Sequence, residues 1–182
     1  MPTLLDQLVG GDLRSLGRSA EVAARVLARP EQLDELLDGL ADADEVIRGR
    51  TADALERVSA ARPDLIQPYK RELLDRAAEP DHWVVRSHLC QILPRLHPLT
   101  PRERRRLLTL MRSFLADPSS IVKAVALDAC VQLSLAPGFD VERADATALV
   151  EACATRGDTA ALRARARILR KQLVKLARTG RA

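Results

Sequence analysis

Leu40-Ala41-Asp42 is followed by Val46-Ile47-Arg48, and the pattern returns as Leu115-Ala116-Asp117 followed by Ile121-Val122-Lys123, with the same interval from aspartate to basic residue. Trp83-Val84-Val85-Arg86 and Ala161-Leu162-Arg163 are related segments, so a basic residue recurs at 48, 86, 123 and 163, a period close to forty. A repeat of this length constrains the fold more than any other feature here. It predicts stacked copies of one supersecondary unit, none of which can bury its apolar face alone.

The apolar residues keep phase with the basic ones. Immediately before each stand Ile47, Val85, Val122 and Leu162; six residues beyond stand Ala54, Ile92, Ala129 and Leu169; ten beyond stand Val58, Leu96, Leu133 and Leu173. These positions form one stripe at helical spacing, so each copy contains a helix packed on that side. A second helical pattern lies upstream of each: Leu33, Leu36, Leu37 and Leu40; Leu65, Ile66, Tyr69, Leu73 and Leu74; Leu107, Leu108, Leu110, Met111, Phe114 and Leu115; and Val141, Ala148, Leu149, Val150 and Cys153. Helices therefore come in pairs.

Their boundaries carry recognisable signals. Thr100-Pro101-Arg102-Glu103 reads as a capping box with proline at the first helical position. Asp117-Pro118 and Asp158 are placed to start second helices, and Pro137-Gly138 to end one. Pro94 is expected to kink or shorten the helix that begins near Asp81. Residues 11–29 hold an imperfect copy, with Ala20, Val22 and Val26 in phase but Leu16 where arginine is expected, as suits a terminal unit.

These residues resemble HEAT repeats, above all the progression from Asp42 through Leu55, and the resemblance extends over roughly residues 12–178. It implies an all-α fold, a right-handed α-solenoid of about five HEAT-like helical hairpins. The expected organisation is a single domain over 1–182: an N-terminal cap unit at 1–29, central units and the first helix of the last unit at 30–156, and a basic C-terminal helix and tail at 157–182. In the family, the aspartate and the basic residue often pair within and between neighbouring units, which implies a structural ladder through Asp42, Arg48, Asp117 and Lys123. Pro80 and Gly157 stand where the third and last copies should carry the aspartate.

Chemistry is harder to find. There is no glycine-rich phosphate loop, no H-E-x-x-H and no paired C-x-x-C, and no nucleophile is spaced with a base. His82, His88 and His97 do not share one helical face, so no metal site is expected, and no cofactor. Cys90, Cys130 and Cys153 each fall in an apolar helical pattern and read as buried thiols of a reducing, cytoplasmic compartment. The first residues lack a basic region followed by an apolar run, and no stretch is apolar for long enough to span a bilayer.

Asp81-His82-Trp83-Val84-Val85-Arg86 is similar to the tryptophan-and-arginine segment of HEAT-like DNA glycosylases that remove alkylated purines. That family also places a catalytic carboxylate after a tryptophan pair. Trp83 is the only tryptophan here, so the carboxylate motif is missing. Trp83 is read either as packing the helix start or as a ligand contact.

Charge is distributed unevenly. Residues 159–182 contain eight basic residues and no acidic one. Arg163, Arg167 and Arg170 share a helical face, with Lys171, Lys175 and Arg178 close by. Such a stripe suits phosphates or an acidic protein, or it closes the stack where a further unit would otherwise pack; Arg167 aligns with Ala52, Cys90 and Leu127, all apolar. Glu31, Asp34, Glu35, Asp38, Asp42, Asp44 and Glu45 form an acidic stretch without a basic residue, which leaves room for weak head-to-tail self-association of a monomer. Arg102, Arg104, Arg105 and Arg106 crowd a helix start, against the dipole.

The expected function is that of a non-enzymatic scaffold or adaptor holding a protein partner. Arg50, Arg57, Arg86, Arg95 and Gln132 are candidate surface contacts beside Trp83 and the C-terminal arginines. The alternative is nucleic-acid binding through the basic helix. Only four aromatic residues argue against base stacking as its main mode. An alkylpurine glycosylase is a third and weaker reading.

Overall fold

The computed structural model describes residues 3–12, 15–79, 81–135 and 140–178, and every regular element among them is helical. Pro80, Pro137, Gly138 and residues 179–182 of the tail lie outside the described residues, as does the side chain of Val141. The chain divides into two compact units, Met1–Pro98 and Leu99–Ala182.

In the first unit, a 3-10 turn at Leu5–Leu8 precedes α1 (Ser19–Ala28), α2 (Leu33–Asp38), α3 (Glu45–Ala61), α4 (Pro63–Ile66), α5 (Lys70–Arg76) and α6 (Trp83–Ile92). Helix α3 lies between α1 and α6 and packs on both. It starts where the Asp44 carboxylate accepts the Val46 N–H at 2.8 Å, meeting one of the donors that every helix start leaves open. The upstream pattern from Leu65 to Leu74 predicts one helix but forms α4, a 3-10 turn at Gln67–Tyr69 and α5, because Pro68 has no N–H to continue the ladder. Pro94 acts in the same way: α6 stops at Ile92 and passes into a 3-10 turn at Leu93–Arg95.

The second unit comprises α7 (Pro101–Ser113), α8 (Ser120–Leu135), α9 (Asp140–Arg156) and α10 (Ala160–Arg178). Helices α8, α9 and α10 pack on one another, and α7 packs on α8. The Thr100 hydroxyl accepts from Glu103 N at 3.2 Å while the Glu103 carboxylate accepts from Thr100 N at 2.7 Å, forming the expected capping box. At α8 the cap sits two residues later than expected, and at α10 one. Ser119 and Thr159 accept from Val122 and Leu162, while Asp117 and Asp158 hold the turns before them.

The repeat phase governs burial. Ile47, Val85, Val122 and Leu162 are buried, as are Ala54, Ile92, Ala129 and Leu169 six residues beyond the basic positions, and Val58, Leu96 and Leu133 ten beyond. Leu173 alone is half-buried, packed at the edge of the cluster formed by Leu127, Val131, Val150, Leu162, Ala166 and Leu169. Each valine, leucine or isoleucine so enclosed contributes about 1.5–3 kcal/mol. The two units are built from the same stripe.

Candidate interaction surface

In three of the four copies the basic residue serves the turn beside it. Arg48 donates through Nη1 to the carbonyls of Asp42 and Ala43, at 2.8 and 3.0 Å, and through Nε to the Asp81 carboxylate at 3.1 Å. Arg86 donates to the Asp81 carbonyl, and Arg163 to the Gly157 carbonyl at 2.6 Å. Lys123 reaches forward to Asp158 and holds its carboxyl below the usual range. The last turn of a helix and the residues after it expose carbonyls with no intrahelical donor, and a long cationic side chain one turn into the next helix reaches them. Arg86 and Arg163, both surface candidates, are therefore occupied within the fold.

Arg50, expected on the surface, is a correction: it is only 5% exposed. Its guanidinium donates to the carbonyls of Leu8 at 2.7 Å, Ser15 at 3.2 Å, Asp12 at 3.3 Å and Val9 at 3.4 Å. It pins the segment before α1 onto α3. The fit is close at Gly17, whose φ is +53° and where a Cβ would come within 2.7 Å of the Arg50 guanidinium carbon. Leu4 and Leu8 of that segment are fully buried, although the repeat pattern did not include them.

The remaining candidates divide. Arg95 is tied to Glu56 at 2.6 Å and to Ser59 at 2.7 Å, bridging to α3. Arg57 is exposed and pairs with Asp53 on its own helix at 2.8 Å. Gln132 is exposed on α8. Trp83 occupies the first position of α6, half-buried, with its ring 5.6 Å from that of His82. His82 Nδ1 accepts the Val84 N–H and caps the helix. The carboxylate next to this tryptophan, Asp81, is 3% exposed and clamped between Arg48 and Arg76.

Asp53 is another enclosed carboxylate. It accepts from the Ser19 hydroxyl at 2.5 Å and from Arg57, with His88 Nε2 3.8 Å away. Serine, aspartate and histidine thus meet, but not in the order of a nucleophilic triad: Ser19 donates to the carboxylate and not to the imidazole, and its hydroxyl is fully buried away from any substrate. Burial pushes the His88 imidazole below its ordinary pKa, against the pull of Asp53 and Glu56.

Much of the acidic stretch is engaged as well. Asp34 accepts from the Tyr69 hydroxyl, whose pKa is pushed up to about 12, Glu35 accepts from Leu4 N at 2.6 Å, and Asp42 accepts from Asp44 N at 2.8 Å. Glu31, Asp38 and Glu45 are exposed. In the arginine-rich start of α7, Arg104 lies 3.5 Å from Glu142, and Arg112 farther along lies 3.1 Å from Asp145, so both connect α7 to α9. Arg102 and Arg105 face solvent.

Helix α10 differs from the others. Leu162, Ala166 and Leu169 point into the core, and Arg165 reaches Asp128 on α8. On the outward side, Arg167, Lys171 and Arg178 are exposed and have no partner among the described residues, while Arg170 lies 3.5 Å from the Glu151 carboxylate. Ala52, Cys90 and Leu127, at the register of Arg167, are all buried. Beside this face a groove of about 210 Å³ runs between α9 and α10, floored by Val150 and Leu173 and flanked by Val174 and Ala177. The sequence reading missed its α9 side. The available signal was the one-face spacing of Arg143, Thr147, Val150 and Glu151.

Among the described residues no helix is long and apolar enough to cross a membrane. No protein-family model, curated protein or solved structure matches the chain.

Proposed function

We propose that the chain is a HEAT-type, right-handed α-solenoid of about five hairpins, acting in the cytoplasm as a non-enzymatic scaffold that docks a protein partner. The observation that carries this reading is the outward face of α10. Arg167, Lys171 and Arg178 remain exposed and unpaired among the described residues, while Arg48, Arg50, Arg95 and Arg163 are spent on turns and neighbouring helices. A cationic face that the fold does not use is available to a partner.

Nucleic-acid binding is the second reading. It is favoured by charge: residues 99–182 carry 16 basic and 8 acidic residues, a net of +8, against −4 for residues 1–98 with 13 basic and 17 acidic.

Fluorescence anisotropy of labelled duplex DNA and RNA, at about 50 and about 200 mM salt, separates the two. The charge-reversed variant is Arg167→Glu with Lys171→Glu and Arg178→Glu, because reversing Arg163 would break the Gly157 turn. The scaffold reading expects no salt-sensitive binding by the wild type at either salt concentration. Binding that weakens steeply with salt and vanishes in the folded variant would transfer the function to nucleic acid.

A further inference from the structure

Two stripes at helical spacing line the groove between α9 and α10: Arg143, Val150 and Glu151 on one side, Arg170, Val174 and Ala177 on the other. From 143 to 151 the wall runs for about 12 Å at 1.5 Å per residue, or about two helical turns. Its floor is apolar, and Val174 is left 47% exposed at the lip. A long apolar slot parallel to two helix axes matches the ridge of a third helix.

The charge around the slot selects the guest. Helix α10 has no acidic residue from Ala160 to Arg178, Arg167, Arg170, Lys171 and Arg178 are exposed along it, and the one carboxylate of the groove lining, Glu151, is balanced by Arg170 at 3.5 Å. A helix entering with basic flanks would be repelled, and one with acidic flanks attracted. A second copy of this chain is a poor guest. Its acidic stretch 31–45 exposes no large apolar side chain, its exposed Val9 and Leu16 sit in non-helical loop, and its exposed Ile121 and Ile168 stand singly on α8 and on the basic α10, so none forms an apolar ridge with acidic flanks.

We propose that the α9–α10 groove binds an acidic amphipathic helix of a partner protein, with its apolar ridge on Leu173, Val174 and Ala177 and its carboxylates on Arg167, Arg170 and Lys171. This rests on the scaffold reading and gives the partner its chemistry.

The test uses the full chain and a fluorescein-labelled helical peptide with leucines at i, i+3, i+4 and i+7 and glutamates on the flanks, beside a scrambled peptide of equal composition. The wild type should bind the first and not the second. Val174→Asp and Arg170→Glu, each checked for native circular dichroism, should weaken binding by about tenfold or more. Absence of peptide binding, or binding unchanged in Val174→Asp, overturns the proposal. So does self-association in sedimentation that Val174→Asp abolishes, which would make a second copy the occupant. A photo-cross-linker placed at 132 and, separately, at 174 distinguishes the two levels of failure. Protein captured from 132 but not 174 ends the groove while the scaffold reading stands; duplex DNA that displaces the peptide at low salt ends both.

Discussion

A guanidinium has five donors and no acceptor, so burying one is tolerable only where several oxygens converge on it. At Arg50 those oxygens are backbone carbonyls of the segment before α1, and Arg50→Ala should therefore leave them unmet. The expected loss is about 2 kcal/mol, read by urea unfolding, with hydrogen exchange rising first at residues 4–17. Sequence pattern could not show this. Helical phase places the Cβ of an arginine but not the far end of its side chain, and the loop that consumes Arg50 lies about forty residues upstream. His88 follows a different rule. Its folded-state pKa is depressed by burial, so as pH falls through about 6.5 the unfolded chain takes up a proton that the folded chain refuses, and stability falls. Thermal melts between about pH 7.5 and about pH 5 should show this loss in the wild type, and His88→Leu should flatten it in that window.

At the scale of elements, one tie between helices is a carboxylate shared between two guanidiniums. Asp81 joins Arg48 of α3 to Arg76 of α5 and is itself closed from solvent. Asp81→Ala should cost about 3 kcal/mol, because two partly buried cations lose the carboxylate they share, whereas Arg57→Ala on the exposed side of α3 should cost well under about 1 kcal/mol. Equilibrium denaturation of both variants checks the contrast. The helices themselves were legible in advance from the apolar phase, since Ile47, Ala54 and Val58 and their counterparts are buried as the period requires. Their interruptions were less so. Pro94 was recognised as a breaker, but the pattern from Leu65 to Leu74 ran straight across Pro68, and apolar spacing alone does not register a missing N–H. The turn-closing role of Arg86 and Arg163 was legible in principle: a cation recurring at one phase of every copy serves what the copies share, which is the turn.

For the molecule as a whole, charge separates the two units, and the surplus of the second gathers on α10. Of the groove beside that face only the α9 wall was legible, as a one-face spacing; the groove itself depends on two helices at once, whereas periodicity describes one helix at a time. The register of Arg167 has a further consequence. Leu127 stands at that register in α8, and α10 covers the cluster that contains it. Arg167 works as a non-stick coating on the outward face of α10. Arg167→Leu should join the exposed Ile168 and Val174 into one adhesive strip, so that light scattering rises with protein concentration in the variant and stays flat in the wild type.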